Sequence, residues 1–398
     1  MNPLMNKALA LACLLTLNVS LIHAMPRNPQ QDDKLKSRAE LSNYEETSRY
    51  EDVLRVIGEL QKRTPNLRVE SFGKTTEGRA DDVRGCISCN QMCWGRRSRD
   101  YWISCLVNPS AGREFEWGGD TFAPAPVPKR VLVVGAGPAG LESARVAAER
   151  GHDVTLVEGG PELGGAFRLA GLQPRRSQIT ELIEWYERQL TTLGVDVRVN
   201  TPFDDDDVGR FAADEVIVAT GSQPGTGYQR FLPTQDELPG VDRADCGSIE
   251  DVLSHQIRPG HRIVLVDDLG DWRGTGTAWF LAERGHDVTL ISSWPMVGYW
   301  IQRTAGDWEL RGRLAQLGVT WQTDAVVTAW DDAGAHVRSC LDGAERVISA
   351  DTLVLATNNV SERSLADGDP EARVVGDALA PRLAVHAIYE GRVAGMAV

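Results

Sequence analysis

The 398-residue sequence is short of positive charge: 42 Lys and Arg stand against 56 Asp and Glu, for a formal net charge of −14. A nucleic-acid partner needs a basic face to meet its phosphates, so that class of function is set aside. Internal apolar runs of the ~20 residues that a membrane-spanning helix requires are also missing. What remains is the make-up of a globular chain, 42% hydrophobic and 25% charged, long enough for two or three domains with cores of their own.

The N-terminus reads as an export signal over residues 1–24. Lys7 gives a positive start, Ala8–Val19 is apolar, and Ile22-His23-Ala24 has the small-residue pattern of a cleavage site. No twin arginine precedes it, so export would be of the unfolded chain. Seven cysteines are present. Cys13 falls in the signal, and Cys246 and Cys340 are isolated. The other four form the run Cys86-x2-Cys89-x3-Cys93-x11-Cys105. Three thiolates from one loop and a fourth from farther along suit an iron–sulfur cubane. The rival readings are one zinc ion on all four and, in an exported protein, disulfides.

After a proline linker, Ala123-Pro124-Ala125-Pro126-Val127-Pro128, two βαβ-type units begin at Arg130 and Arg262. Each repeats the strand phrase Gly-His-Asp-Val-Thr-Leu, at Gly151–Leu156 and Gly285–Leu290, which marks a duplicated unit. Strands alternating with helices predict an α/β fold with parallel sheets, two Rossmann-like units in tandem. In the first unit the strand Val131–Val134 runs into Gly135-Ala136-Gly137-Pro138-Ala139-Gly140. Gly135 permits the tight turn, Gly137 admits a pyrophosphate, and Gly140 lets the helix pack on the strand. The helix start near Ala139 offers free N–H groups and a positive dipole to phosphate. Glu158, 18 residues beyond Gly140, is placed to bond the ribose hydroxyls. Gly165, Ala219-Thr220-Gly221 and Gly376-Asp377 complete the candidate nucleotide set, with helix capping the alternative role for Asp377. In the second unit Asp267-Asp268-Leu269-Gly270-Asp271 stands where the first glycines belong. Carboxylates there repel a dianionic pyrophosphate, and Arg273 offsets one of them. The second unit is expected to be degenerate, and NAD(P)H binding by it doubtful.

Arg84–Cys93, Ser104–Pro109 and the Val134–Leu141 glycine turn together resemble the iron–sulfur flavoenzyme branch of the old yellow enzyme family, over about 80% of the chain from Gly78 onward. That branch includes 2,4-dienoyl-CoA reductase, trimethylamine and dimethylamine dehydrogenases and N-methylproline demethylase-like proteins. The resemblance implies a [4Fe–4S] cluster on Cys86, Cys89, Cys93 and Cys105 and a bound FAD, or ADP in its place. It also implies an N-terminal (β/α)8 barrel with an FMN site. Such a barrel needs about 250 residues, and 85 precede Cys86, so the FMN site is expected to be absent and no catalytic residue is assigned. Residues 44–79 resemble instead the opening of a zinc metallocarboxypeptidase, in Arg63-Thr64-Pro65 and Phe72–Arg79. The zinc ligands of that family do not follow, so peptidase activity is not expected.

The expected organisation is a signal (1–24), a carboxypeptidase-like remnant (25–79), an iron–sulfur segment and linker (80–126), an FAD/ADP domain (127–240 with 352–398) and a degenerate NAD(P)-like domain (241–351). The expected activity is electron transfer between a flavin nucleotide and the cluster. The expected partner is an electron-transfer flavoprotein or a separate FMN-barrel chain. A non-functional fusion with a carboxypeptidase leader is the alternative. The cluster points to the cytoplasm, the leader to export.

Overall fold

A computed structural model describes residues 35–42, 50–64, 83–117, 122–203, 208–368 and 371–398. The chain divides into two compact units, Met1–Lys74 and Thr75–Val398. In the first, Ser37 and Glu40 cap the short helix Arg38–Leu41 reciprocally, and Arg38 Nε lies 3.0 Å from Asp52. A second helix spans Tyr50–Arg63, with Glu51 and Asp52 in its first turn and Lys62 and Arg63 in its last, each sign facing the helix-dipole end that favours it. The signal and most of the carboxypeptidase-like stretch lie outside the described residues.

Among the described residues the larger unit has these strands: β1 Arg130–Val134, β2 Asp153–Val157, β3 Asp196–Arg198, β4 Glu215–Val218, β5 Ser222–Pro224, β6 Cys246–Ser248, β7 Arg262–Asp267, β8 Asp287–Ser292, β9 Thr320–Gln322, β10 Ala325–Asp331, β11 Gly334–Ser339, β12 Glu345–Ile348, β13 Thr352–Ala356, β14 Asn359–Ser361 and β15 Arg373–Val374. One parallel sheet runs β15-β4-β1-β2-β3 and another β6-β13-β7-β8-β9. β10-β11-β12 form an antiparallel sheet, and β5 pairs with β14. The duplicated phrase occupies equivalent places, since Arg130 pairs with Asp153 and Arg262 with Asp287. In both parallel sheets the chain order reverses beside the first strand of the unit, β1 or β7. Ligand crevices of open α/β sheets lie at the carboxyl ends of strands at such a point.

One boundary differs from the sequence expectation. β13 is fully buried and pairs with β7, so residues 352–356 belong to the second sheet; β14 pairs with β5, and β15 is the strand that rejoins the first sheet. An apolar strand carries no mark of which sheet it joins; its neighbours decide.

The helix Pro138–Glu149 packs against Ala384–Ala397 at very short range. A Cβ on Gly391 would lie 2.3 Å from the Ala139 carbonyl oxygen, so only glycine lets the two backbones approach this closely. Between them sits a buried charge network centred on Glu142. Its carboxylate accepts hydrogen bonds from Arg145 (Nη2, 3.0 Å), Arg392 (Nε, 2.7 Å) and the Tyr186 hydroxyl (3.0 Å). Arg84 Nη1 lies 3.9 Å away. Burial pushes the Glu142 carboxyl up, but Arg145, Arg84 and Arg392 outweigh it and hold the group well below the usual carboxylate range. Burial, then the neighbouring Glu142 charge, pushes the Tyr186 hydroxyl up. Arg84 also donates to the Val107 carbonyl (2.6 Å) and lies over the Trp185 ring, while Arg392 donates to Ser110 Oγ (2.5 Å). The network thereby pins both arms of the cysteine segment to the first sheet. Glu142→Ala removes the charge that three guanidiniums share and is expected to cost about 3–5 kcal/mol by urea denaturation. A loss no greater than that of an exposed ion pair, about 0–1 kcal/mol, would contradict this role.

Candidate cofactor site

A cavity of about 390 Å³ opens at the carboxyl ends of the first sheet. It gathers Gly135, Gly137, Pro138, Ala139, Glu158, Gly165, Ala219, Thr220, Gly221 and Asp377, and with them Ile87, Cys89, Gln91 and Leu106 of the cysteine segment. Gly140 and Gly376 do not line it. A Cβ on Gly140 would fall 1.9 Å from the Gly135 carbonyl oxygen, so its role is the close packing of turn on helix. Gly376 donates its N–H to Glu390.

The turn has the geometry its sequence calls for. Gly135 adopts φ +99°, and a Cβ there would meet the Ala219 carbonyl oxygen at 2.3 Å. Gly137 has open space where a side chain would stand, and it is the N-cap of the helix whose first residue is Pro138. The helix start is therefore bare and faces the cavity. Glu158 follows β2 and accepts from the N–H groups of Ala136 and Gly160, each at 2.8 Å, which fixes its carboxylate at the cavity wall. Asp377 accepts from Ser222 Oγ (3.2 Å) and the Arg382 N–H (3.0 Å). The caps of the neighbouring helical turns are Val375 and Leu383, so the capping alternative for Asp377 is not the one adopted.

Among the cavity residues that the sequence does not announce are Gln91, Gln173, Arg176 and Trp272. Gln91 Oε1 is buried without a hydrogen-bond partner, an acceptor free to take an N–H or O–H. Gln173 reaches across to the second unit, donating to the Arg273 carbonyl and Thr277 Oγ1, both at 3.2 Å. No local pattern announces these residues; they share a wall only because the loop after the helix Gly165–Gly171 meets the start of the helix Trp272–Ala282.

Of the four cysteines Cys89 lines the cavity and Cys86, Cys93 and Cys105 do not. All four are free thiols. Burial pushes the Cys89 thiol up to about 11, the Gln91 N–H opposes, and Cys105, Cys93 and Cys86 add to the rise. The other three therefore lie within electrostatic reach of Cys89. Ser88 and Asn90 adopt left-handed backbone (φ 55° and 54°), and the Ser88 N–H points to Cys86 Sγ at 3.3 Å. Among the described residues no three His, Cys, Asp or Glu side chains are grouped so as to hold a metal ion.

The equivalent place in the second unit is filled by the chain itself. The Asp267 carboxylate lies against Gly274, where a Cβ would be 2.5 Å from Oδ1, and it accepts from the Gly270 N–H at 2.9 Å. Its Oδ2 has no partner. Asp268 accepts from Ser293 Oγ (2.7 Å) and the Arg230 N–H (3.2 Å). Trp294 covers Gly270, within 2.8 Å of a Cβ there, and donates Nε1–H to the Asp268 carbonyl (3.0 Å). Asp271 caps its helix and is bidentate with Arg273, at 3.2 and 2.7 Å. Arg273 thus neutralises one aspartate, as the spacing suggested.

Residues 129–370 match the model of the pyridine nucleotide-disulphide oxidoreductase family. The chain belongs to this family. It is 33% identical to the cinnamate reductase of Clostridium sporogenes over 339 residues, 79% of this chain and 46% of that one. Among solved structures it resembles 6-hydroxypseudooxynicotine amine oxidase from Pseudomonas geniculata N1 (31% identity, TM-score 0.74, 79% of this chain and 49% of that one). It also resembles histamine dehydrogenase from Rhizobium sp. 4-9 (27%, TM-score 0.75, 80% and 49%). The chain spans about half the length of the relatives it matches. These relatives fit the old yellow enzyme and amine dehydrogenase branch, and they lend no support to the carboxypeptidase resemblance.

The buried Asp267 carries a pH dependence. Burial raises its carboxyl from 3.8 to about 7, the Gly270 N–H opposes, and Asp271 and Asp268 add to the rise. The folded chain keeps this proton where the unfolded chain has released it. The contribution to stability is therefore full below pH 3.8 and is lost as pH rises through about 7. Asp267→Asn is expected to flatten the fall in the urea midpoint between pH 5 and 8; a variant whose midpoint falls as steeply as the parent's would refute the assignment.

Proposed function

We propose that the chain is the electron-transfer part of an iron–sulfur flavoprotein oxidoreductase, with a flavin nucleotide in the cavity and a [4Fe–4S] cluster on Cys86, Cys89, Cys93 and Cys105. The observation that carries this reading is that one cavity is walled both by the glycine turn with Glu158 and by the cysteine loop. The two parallel sheets are then tandem Rossmann-like units, the first holding the nucleotide.

The residues suit both groups. The bare helix start at Gly137–Ala139 takes the pyrophosphate, Glu158 the ribose, and Asp377 the polar chain beyond it. The cavity continues past these to Gln91, Arg176 and Trp272, which supports FAD over ADP, and the unpartnered Gln91 oxygen supplies an acceptor for a ring N–H. Four free thiols with a backbone N–H aimed at sulfur suit a cluster. A single zinc ion is less suited, since zinc sites usually present two compact Cys-x2–4-Cys pairs, whereas here three cysteines cluster and the fourth lies farther along. When bound, the cluster supplies a one-electron relay. The chain's part is to hold the four thiolates, keep water from Cys89 and set the nucleotide against the same wall. A thiol raised to about 11 by burial must release its proton when it ligates iron.

The filled crevice at Asp267, Asp268 and Trp294 supports a second unit that takes no NAD(P)H. Exposed Trp94, Tyr101, Trp102, Ile103 and Phe115 flank the cysteines. Apolar surface of this kind suits a docked partner, either an electron-transfer flavoprotein or a chain that supplies an FMN barrel.

Anaerobic purification tests the reading. Iron and acid-labile sulfide in equal amounts, with FAD bound, are expected, and Cys105→Ser is expected to lose the iron while keeping the flavin. A colourless protein with one zinc ion per chain and no flavin would overturn it.

A further inference from the structure

Three guanidiniums line the cavity: Arg176, Arg273 and Arg382. Two are committed. Arg273 is bidentate on Asp271 (2.7 Å), and Arg382 pairs with Glu390 (2.5 Å). The four carboxylates of the wall are committed as well. Glu158 accepts two backbone N–H groups, Glu250 accepts from Asn359 (3.3 Å), Asp271 holds Arg273, and Asp377 accepts from Ser222 and Arg382. The Arg176 side chain makes no hydrogen bond or ion pair among the described residues. Its guanidinium lies over the Trp272 ring, 5.1 Å from the centroid. It is half-buried and within electrostatic reach of Asp271 and Cys89, so it stands where the cysteine loop, the first sheet and the second unit converge.

A half-buried cation held in no direct ion pair is costly to keep, and cavity walls are where such a charge has a use. From this position we infer that Arg176 balances the negative charge that electrons bring into the cavity, and so raises the reduction potential of the group bound there. The inference rests on the functional reading above. A neutral oxidised flavin that takes two electrons and one proton from a chemical reductant gains one net negative charge, and Arg176 is the cation available to meet it. Arg273 and Arg382 are already neutralised by their carboxylates. The Gln91 oxygen on the same wall accepts hydrogen bonds and does not oppose that charge as a carboxylate would.

The test is the midpoint potential of FAD bound to the full chain, titrated anaerobically with dithionite, in the parent, Arg176→Gln and Arg176→Lys. In Arg176→Gln the reduction equilibrium is expected to fall about tenfold, which for a two-electron couple is about 30 mV. Arg176→Lys, which keeps the charge, is expected to stay near the parent. A glutamine variant that binds FAD as tightly as the parent at an unchanged potential overturns the inference alone. A parent chain that takes up no FAD overturns the functional reading and this inference with it.

Discussion

Glu142 is the point on which the larger unit depends. It is one carboxylate, fully buried, that answers guanidiniums from three parts of the chain: Arg84 before the cysteines, Arg145 on its own helix and Arg392 on the last helix. Removing one partner of a buried ion network is far worse than never having built it, so each member obliges the others to remain. The consequence for the site is positional. Arg84 also holds the Val107 carbonyl and Arg392 holds Ser110. The irregular cysteine segment is thereby fixed against the same helix whose other end, at Gly137, faces the cavity. The loop gains its place from this charge network together with core packing of Ile87, Leu106 and Val107.

The two parallel sheets show how one plan leads to opposite outcomes. In the first, glycines at 135 and 137 leave the crevice beyond β1 open. In the second, the crevice beyond β7 is taken up by Asp267, Asp268 and the Trp294 indole. A carboxylate placed where a pyrophosphate would lie excludes a dianion by repulsion, and an indole over Gly270 excludes it by volume. The duplicated strand phrase persists because the sheet still needs it. The second unit keeps its fold as a wall for the first, through Gln173 bonding to Arg273 and Thr277 and Asn90 bonding to the Thr304 carbonyl.

Much of this was legible in the sequence, for physical reasons. The strand Val131–Val134, the glycine turn and Glu158 are local signals, each requiring a residue type at a fixed place, and they come together as expected around one cavity. The aspartates of the second turn were legible as residues that differ from the glycines of the first, and the structure packs them against Gly270, Gly274 and Ser293. The sheet to which Thr352–Ala356 belongs was not legible, since a buried apolar strand looks alike in either. Nor were Gln91, Gln173, Arg176 and Trp272, which meet only after three segments have folded together. Glu142 itself sits in an alanine-rich helix and gives no sign, from spacing alone, that three arginines will find it.

If the nucleotide cavity and the cysteine loop form one electron path, photoreducing the bound flavin in the anaerobic chain, freezing it at short intervals and recording EPR spectra will show it. A cubane signal is expected to grow as the flavin signal decays, without added mediator. A flavin that stays reduced while no iron–sulfur signal appears, in protein carrying both groups, would contradict it.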